Sequence, residues 1–365
     1  MVIIRSVRRD DLAPLMTLVG EAGVGLTTLP RNEGLLRGRI EASLATFAGT
    51  ADKADEQWVL VMEDVASARL VGICAIAGAV GLREPWYSYR VGTVVHASRE
   101  LGIFTRTPTL FLSNDHTGAS ELCSLFLAPD YRVGRNGALL SKSRFMLMAE
   151  FRDRFSPKVI AELRGVSDAA GRSPFWESLG RHFFSMDFAE ADYLTGIGKK
   201  SFVAELMPKH PLYSSFLSKE AQAVIGETHE LTRPARRLLE QEGFRFEGHV
   251  DIFDAGPALE SNLEDIDAIK KNAAHIVAAI DSTARVAEPS SALMLISNTR
   301  LSDFRVGLGR CTAAANGVTL EVELAGALGV GVGDKIRVVA LRPAERAVGE
   351  TREPHVAHAP RAAHD

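Results

Sequence analysis

Glu121-Leu122-Cys123-Ser124-Leu125-Phe126-Leu127, then Ala128-Pro129-Asp130-Tyr131, then Arg132-Val133-Gly134-Arg135-Asn136-Gly137-Ala138, is the stretch whose reading decides the fold. The first seven residues are apolar on both faces, as expected of a strand covered on both sides. Pro129 ends the strand and a polar loop with two glycines follows. From about Ala138, Leu140, Leu147, Met148 and Phe151 recur on one helical face. A chain that leaves a central strand, turns through such a loop and enters a helix turns unpaired amides and the positive dipole end toward one point. This makes an anion site, and small residues let the backbone come close to a pyrophosphate.

Upstream, the chain reads as strand, helix, helix and hairpin. Val2-Ile3-Ile4 is a strand, Asp10 is placed to cap a helix carrying Leu12, Leu15, Met16 and Val19, and Gly20, Gly23 and Gly25 end it. An amphipathic helix covers about 33–47, and strands at Trp58 to Glu63 and Leu70 to Ile76 flank a polar turn. Tyr89 to Val95 is a further strand, followed by a Pro/Thr-rich connection. Downstream, Val159 to Leu163 reads as a strand and Ser173 to Leu179 as a helix. A second helix, Ala235 to Glu242, is stopped by Gly243, and a strand runs through Phe244 and Phe246 to Ile252. The two helices with their Gly endings are either a partial internal repeat or two amphipathic helices closed alike. From about 290 the period changes to two, with Phe304, Val306 and Leu308, then Val318, Leu320, Val322 and Leu324.

The composition limits the classes to consider. A chain of 365 residues, 46% hydrophobic and 24% charged, suggests two or three globular domains. A net charge of −4 argues against a general nucleic-acid surface. No apolar run reaches the ~20 residues that span a bilayer, and Met1-Val2-Ile3-Ile4-Arg5 lacks the order of a signal peptide. Cys74, Cys123 and Cys311 have no metal-ligand spacing, so no metal site is expected and a reducing cytoplasm suits them.

The loop Arg132 to Ala138 resembles the acyl-CoA motif of the GNAT superfamily, Arg/Gln-x-x-Gly-x-Gly/Ala. Arg132, Gly137 and Ala138 fall in place; Arg135 stands where the first glycine is usual, with Gly134 one residue early. The element order is also that of GNAT proteins, and Phe175-Trp176-Glu177-Ser178-Leu179-Gly180 resembles their late helix. Longer strings are more specific. Pro108 to Leu127, Leu139 to Met146, Ala204 to Pro211 and Asp251-Ile252-Phe253-Asp254 together resemble the arginine N-succinyltransferase family, to about residue 342.

That resemblance implies an α+β, GNAT-like acyl-CoA N-acyltransferase fold, partly duplicated if the repeat is real, with a small C-terminal β-barrel-like module. The expected organisation is an acyl-CoA-binding region at 1–190 and a second α/β region at 191–289 carrying the catalytic histidine. A β module at 290–342 and a disordered tail at 343–365 complete it. The implied reaction moves a succinyl group from succinyl-CoA, a co-substrate and not a tightly bound cofactor, to the α-amino group of L-arginine. The family's succinyl-CoA-binding position matches Leu125 and its proton-donor histidine matches His229. Arg132, Gly134, Asn136, Gly137 and Ala138 are then the CoA-loop residues. The family includes paralogous subunits, so a homo-oligomer or a hetero-oligomer is expected, with no nucleic-acid or membrane partner.

The chemistry sets its own requirements. An α-amino group titrates near 7.7–8.0, so it must attack neutral and shed a proton as the amide forms. The departing thiolate gains from a nearby donor, a role suited to a histidine. His116, beside Asp115 in a polar turn, is a candidate for contact with substrate or for support of such a contact, the alternative being a turn-stabilising pair. Cys123 reads as a core thiol, not a nucleophile. Asp115, Glu121, Glu162 and Glu227 are carboxylates that could take a guanidinium, and Lys142 and Arg144 could reach CoA phosphates, with solvated helix charges as the default reading. Two other readings stay open: a related transferase using ornithine or another acyl-CoA, and a non-catalytic CoA or arginine sensor.

Overall fold

The computed structural model describes residues 1–21, 29, 31–168, 171–196, 205–281 and 292–341. The chain opens with β1 (Val2–Ser6), α1 (Leu12–Gly20), α2 (Glu33–Phe47), β2 (Gln57–Asp64) and β3 (Arg69–Ala77). A long hairpin, β4 (Ser88–Ser98) and β5 (Ile103–Ser113), precedes β6 (Ser120–Leu127), α3 (Asn136–Glu150) and β7 (Lys158–Glu162). Then come α4 (Arg181–Phe184), α5 (Phe188–Gly196), β8 (Leu212–Tyr213), α6 (Lys219–Val224), α7 (Arg233–Glu240), β9 (Arg245–Val250), β10 (Pro257–Asn262) and α8 (Asp267–Lys270). The C-terminal part holds β11 (Ala273–Asp281), β12 (Met294–Asn298), β13 (Arg305–Gly309), β14 (Cys311–Ala314), β15 (Gly317–Glu321), α9 (Val322–Leu328) and β16 (Lys335–Ala340).

The described strands form one sheet in the order β14-β15-β11-β16-β12-β13-β1-β2-β3-β6-β7-β10-β9-β4-β5-β8. Neighbours pair antiparallel except β11 with β15 and β6 with β7. The β6–β7 exception matters most. Both strands are apolar, and the largest core cluster runs along β2, β3, β6 and α3, with Trp58, Leu60, Val61, Ile73, Leu140 and Met148 buried. Helix α3 is covered all round, from Leu139 to Ala149. It packs on β3 so closely that a Cβ at Gly72 would stand 3.0 Å from Leu140 Cδ2. A second cluster centres on Tyr89, Phe175, Trp176 and Phe253, and a third on Val277, Ile296, Leu320 and Leu328.

Several local expectations change. Asp10 does not cap α1; the residue at that end is Asp11, whose buried carboxylate instead takes Arg5 at 2.7 and 2.8 Å and the Arg8 amide at 2.6 Å. The Pro/Thr-rich connection is in fact strand β5, paired with β4 from Ser88↔Ser113 to Ser98↔Ile103. Pro108 is tolerated because β8 covers the other edge of β5 only at Thr109 and Leu110, so no ladder donor is needed from the proline.

The C-terminal strands do not stand apart as a β-barrel: β13 pairs with β1 through Ile4↔Val306 and Arg5↔Arg305, which extends the main sheet. Their first strand begins at Ala273, ahead of the expected boundary at 290. The period-two run stops at Glu321, and Val322 and Leu324 belong to α9, where Leu324, Ala325 and Leu328 form its buried face. Residues 343–365, expected as a tail, lie outside the described residues, as do Gly23 and Gly25.

Candidate active site

Parallel strands β6 and β7 pair at Ser120↔Val159 and Glu121↔Ile160, near the start of each. On its other side β6 breaks register with β3: Ile73 faces Phe126 and Ala75 faces Cys123, so Ser124 and Leu125 together oppose Cys74. Ser124 takes a left-handed backbone, φ 55°. A bulge of this kind bends the strand and re-aims its groups. A cleft of about 870 Å³ opens there. Its lining includes Glu121, Cys123, Ser124 and Leu125 from β6, Glu162 at the end of β7, Arg39 from α2 and Arg144 from α3.

At the far end of β6 the phosphate-type loop is closed by its own side chains. Arg132 Nε donates to Leu127 O at 2.9 Å and its guanidinium lies 5.6 Å from the Phe126 ring centre. Asn136 Nδ2 donates to Tyr131 O at 3.0 Å. Gly134 makes the left-handed turn, φ 60°, while Arg135 keeps an ordinary φ of −112° as the N-cap of α3. The glycine displaced by one residue therefore does the conformational work, and Arg135 is exposed without strain. No side chain caps α3 and no acidic residue sits in its first turn, so its dipole end is left for an anion. An added Cβ at Gly137 meets no protein atom within 4 Å. Beside Arg135 and Ala138 lies a larger groove, about 1330 Å³, to which Arg245, Lys270 and Lys271 also contribute.

His229 stands at the rim of the cleft. Its backbone N–H donates to Arg164 O at 2.9 Å, and Leu231 and Thr232, just beyond it, line the cleft together with Arg164. The Leu231 amide donates to His229 Nδ1 at 3.2 Å. Nδ1 is thus an acceptor, and the proton of the neutral ring belongs on Nε2. Partial burial, and then the positive charge of Arg164, hold the imidazole below its usual pKa.

Asp115 and His116 lie elsewhere, in a network whose His116, His249 and Glu260 are buried and whose Asp115 is exposed. His116 Nε2 contacts Glu260 Oε1 at 2.9 Å and His249 Nδ1 contacts the same oxygen at 2.7 Å. His249 Nε2 meets Asp115 Oδ2 at 3.1 Å, Ser88 Oγ lies 3.4 Å from His116 Nδ1, and Lys158 Nζ donates to Glu260 Oε2 at 2.7 Å. The two imidazoles and Glu260 offer ligand atoms within 4.8 Å of one another. Their mutual hydrogen bonds nevertheless account for them without an ion. His249 and Glu260 were not singled out in the sequence; their only signal is two polar side chains facing inward on neighbouring strands.

Of the four candidate carboxylates, Glu121 and Glu162 line the cleft, whereas Asp115 joins the network and Glu227 borders a small surface hollow with Arg233 and Arg236. Lys142 and Arg144 are buried, contrary to the expectation of solvated charges. Cys123 is a buried thiol whose pKa burial pushes up, as expected of a core cysteine, although it borders the cleft.

A kinked central strand, a parallel neighbour paired only near its start and a glycine loop running into a helix make up the arrangement expected of an acyl-CoA-binding fold. The family model described as arginine N-succinyltransferase beta subunit matches residues 2–268, and that of its C-terminal domain matches 278–340. The arginine N-succinyltransferase of Escherichia coli (strain 55989 / EAEC) is 51% identical over 346 residues, 95% of this chain and 99% of its own. That of Enterobacter sp. (strain 638) is 52% identical over the same coverage. The solved arginine/ornithine succinyltransferase subunit AI from Pseudomonas aeruginosa superposes with a TM-score of 0.84 at 35% identity, covering 94% of this chain and 99% of that one. The chain belongs to the arginine N-succinyltransferase family.

Proposed function

We propose that this enzyme transfers the succinyl group of succinyl-CoA to the α-amino group of L-arginine and releases CoA. The observation that carries this reading is the cleft at the kink of β6, which brings candidate carboxylates and the His229 turn to the strand that feeds the anion loop. Glu121 and Glu162 offer carboxylates for a guanidinium beside Ser124 and Leu125, and the His229 turn borders the opening. The same strand runs on to the anion loop at Arg132 to Ala138, where Arg135 and Ala138 face the neighbouring groove. The thioester is already activated, so the reaction needs neither a covalent enzyme intermediate nor a resident cofactor.

In this reading the first-turn amides of α3, with Gly134, Asn136, Gly137 and Ala138, hold the pyrophosphate. Arg132 braces the loop from behind, and Leu125 lies along the acyl arm. The neutral amine attacks the thioester carbonyl, the C–S bond breaks, and the proton lost by nitrogen balances the one gained by sulfur. His229 presents Nε2–H to the developing charge on the departing sulfur. Asp115 and His116 support the sheet beside the cleft. The P. aeruginosa relative is described as a subunit, and the β4–β5 hairpin exposes Leu101, Ile103 and Phe104 at its tip, which together support assembly with further chains.

The test is turnover of succinyl-CoA and acetyl-CoA against arginine and ornithine, four combinations with purified protein. The succinyl-CoA and arginine pair should give the largest kcat/KM. Faster reaction with ornithine, or with acetyl-CoA, would replace the named substrate. Tight acyl-CoA binding with no product in any combination would indicate a sensor.

A further inference from the structure

We propose that Arg144, assisted by Arg39, is the receptor for the terminal carboxylate of the acyl donor. The inference rests on succinyl-CoA being that donor, since a succinyl group differs from the ordinary acyl groups of CoA in ending with a second negative charge.

The argument begins with an imbalance on one helix. Lys142 and Arg144 both lie on α3 and both are buried, at 3% and 2% exposure. Lys142 is neutralised by Glu242 at 2.5 Å and also donates to Leu341 O at 3.0 Å. Arg5, the other deeply buried guanidinium of the sheet, has Asp11 at 2.7 Å and Glu63 at 2.6 Å. Arg144 has no carboxylate within ion-pair distance among the described residues. Its hydrogen bonds run from Nε to Ser141 O and from Nη2 to Ser141 Oγ, both 3.0 Å. The ionisable groups that face it are the thiols Cys74 and Cys123. Burial keeps both thiols protonated, so neither supplies a counter-charge.

A buried charge without a partner is costly, and native proteins seldom keep one without a reason. Here the reason lies in the position of the guanidinium. Arg144 lines the same cleft as Ser124 and Leu125, where the strand is kinked. Arg39 reaches that wall from α2, its Nη2 donating to Cys123 Sγ at 3.3 Å. Two guanidiniums from opposite helices therefore converge on the segment of β6 that the acyl arm follows. A planar fork pairs bidentately with carboxylates and phosphates alike, and at the acyl end of the donor the group of that kind is the terminal carboxylate. The acidic lining residues, Glu121 and Glu162, suit the cationic amine substrate and would repel the donor's carboxylate, so the two charge types sort the two substrates within one cleft.

The experiment compares succinyl-CoA with butyryl-CoA, which has the same chain length with a methyl in place of the carboxylate. Wild-type enzyme should bind succinyl-CoA more tightly by calorimetry and show the higher kcat/KM with it. Arg144→Gln should lower kcat/KM for succinyl-CoA by about 10²-fold, the scale of losing one partner of a buried charge pair, and leave butyryl-CoA nearly unchanged. Arg144→Lys, which keeps the charge, should retain an intermediate preference. An equal loss with both donors would overturn the proposal, because Arg144 would then be serving the thioester or the core. If the glutamine variant does not fold, the wild-type binding comparison still decides, and equal affinities for the two donors overturn the assignment. Failure of the reaction reading looks different: wild-type enzyme would still prefer succinyl-CoA in binding but would not acylate arginine.

Discussion

Two polar clusters share this sheet, and their difference separates architecture from site. The Asp115–His249–Glu260–His116 cluster is complete in itself: each imidazole meets a carboxylate, and Lys158 takes the remaining oxygen of Glu260. In the cleft around β6, by contrast, the buried Arg144 meets no carboxylate at ion-pair distance among the described residues. A satisfied network ties strands together, here β10 and β9 to the β5–β6 turn. An unbalanced one is arranged for something that arrives. On this comparison, damage to the cleft should fall on rate and damage to the network on stability.

The largest effect is expected at the rim of the cleft. His229→Ala deletes the Nε2 donor and keeps the backbone, so kcat should fall by about 10²–10⁴-fold, the usual scale for a general acid or base. Affinity for succinyl-CoA should change little, because the imidazole acts on charge that develops in the transition state. Stopped-flow or steady-state assays with direct CoA-binding measurements separate the two. A variant with intact kcat and weakened arginine affinity would make His229 a substrate-positioning residue. The converse change is Glu260→Ala, which strands two imidazoles and Lys158. Its unfolding free energy in urea should drop by about 3–5 kcal/mol, the cost of breaking a buried charged pair from one side. The donor preference of the folded enzyme should persist. Loss of that preference at full stability would place the network in the site and dissolve the distinction.

The two clusters also differ in how much of them the sequence disclosed. The strand, loop and helix over 121–151 were readable because each step has a local cause: an apolar run, a proline stop, glycines, then a 3.6-residue period. Leu125, the loop residues and His229 came from matching strings, and the observed loop geometry at Gly134 explains the displaced glycine. What the sequence did not disclose was non-local. Lys142 and Arg144 look like exposed helix charges until α3 is seen wrapped by strands on one side and by α7 and α8 on the other. Glu260 and His249 lie 144 and 134 residues from their partners His116 and Asp115. Strand β5 was hidden by Pro108, whose ladder cost vanishes only because of its place beside a short edge strand. Period two misled at Val322 for the opposite reason: a two-turn helix shows too little periodicity to overrule the strand before it.

A milder test addresses the phosphate loop. Gly137→Val should be accepted by the fold, since its Cβ meets no protein atom, so whatever is lost is lost to the ligand. Displacing one or two charge-assisted hydrogen bonds, ~1.5–3 kcal/mol, would raise KM for succinyl-CoA about 10–100-fold with kcat largely preserved. Unchanged dependence on succinyl-CoA would show that the phosphates sit elsewhere, with the basic side chains of the neighbouring groove as the next candidates.

The smallest expected effect is a pH dependence that belongs to the network alone. His249 is faced by Glu260 from β10, by Asp115 and His116 from the β5–β6 turn and, beyond Asp115, by Arg90 of β4 at 3.8 Å from that carboxylate. The hydrogen bond that His249 donates to Glu260 above all, with that to Asp115 behind it, raises the His249 pKa against the opposing pull of burial. A raised histidine stabilises the fold fully below its unfolded value, about 6.5, and loses that contribution as pH climbs through the folded value. Glu260 has the opposite sign. Burial pushes it up, but hydrogen bonds from His116, His249 and Lys158 outweigh burial and hold it well below the carboxylate range. Its contribution is present above the unfolded carboxylate value and fades only in strong acid. Stability should therefore be greatest from about pH 4.5 to 6.5 and decline on the alkaline side. Urea midpoints measured between about pH 5 and 9 should trace that decline, and His249→Gln should flatten it while the kcat profile keeps its shape. If the alkaline decline survives in the glutamine variant, another group carries it, and His249 is then neutral in a network held by His116, Glu260 and Lys158.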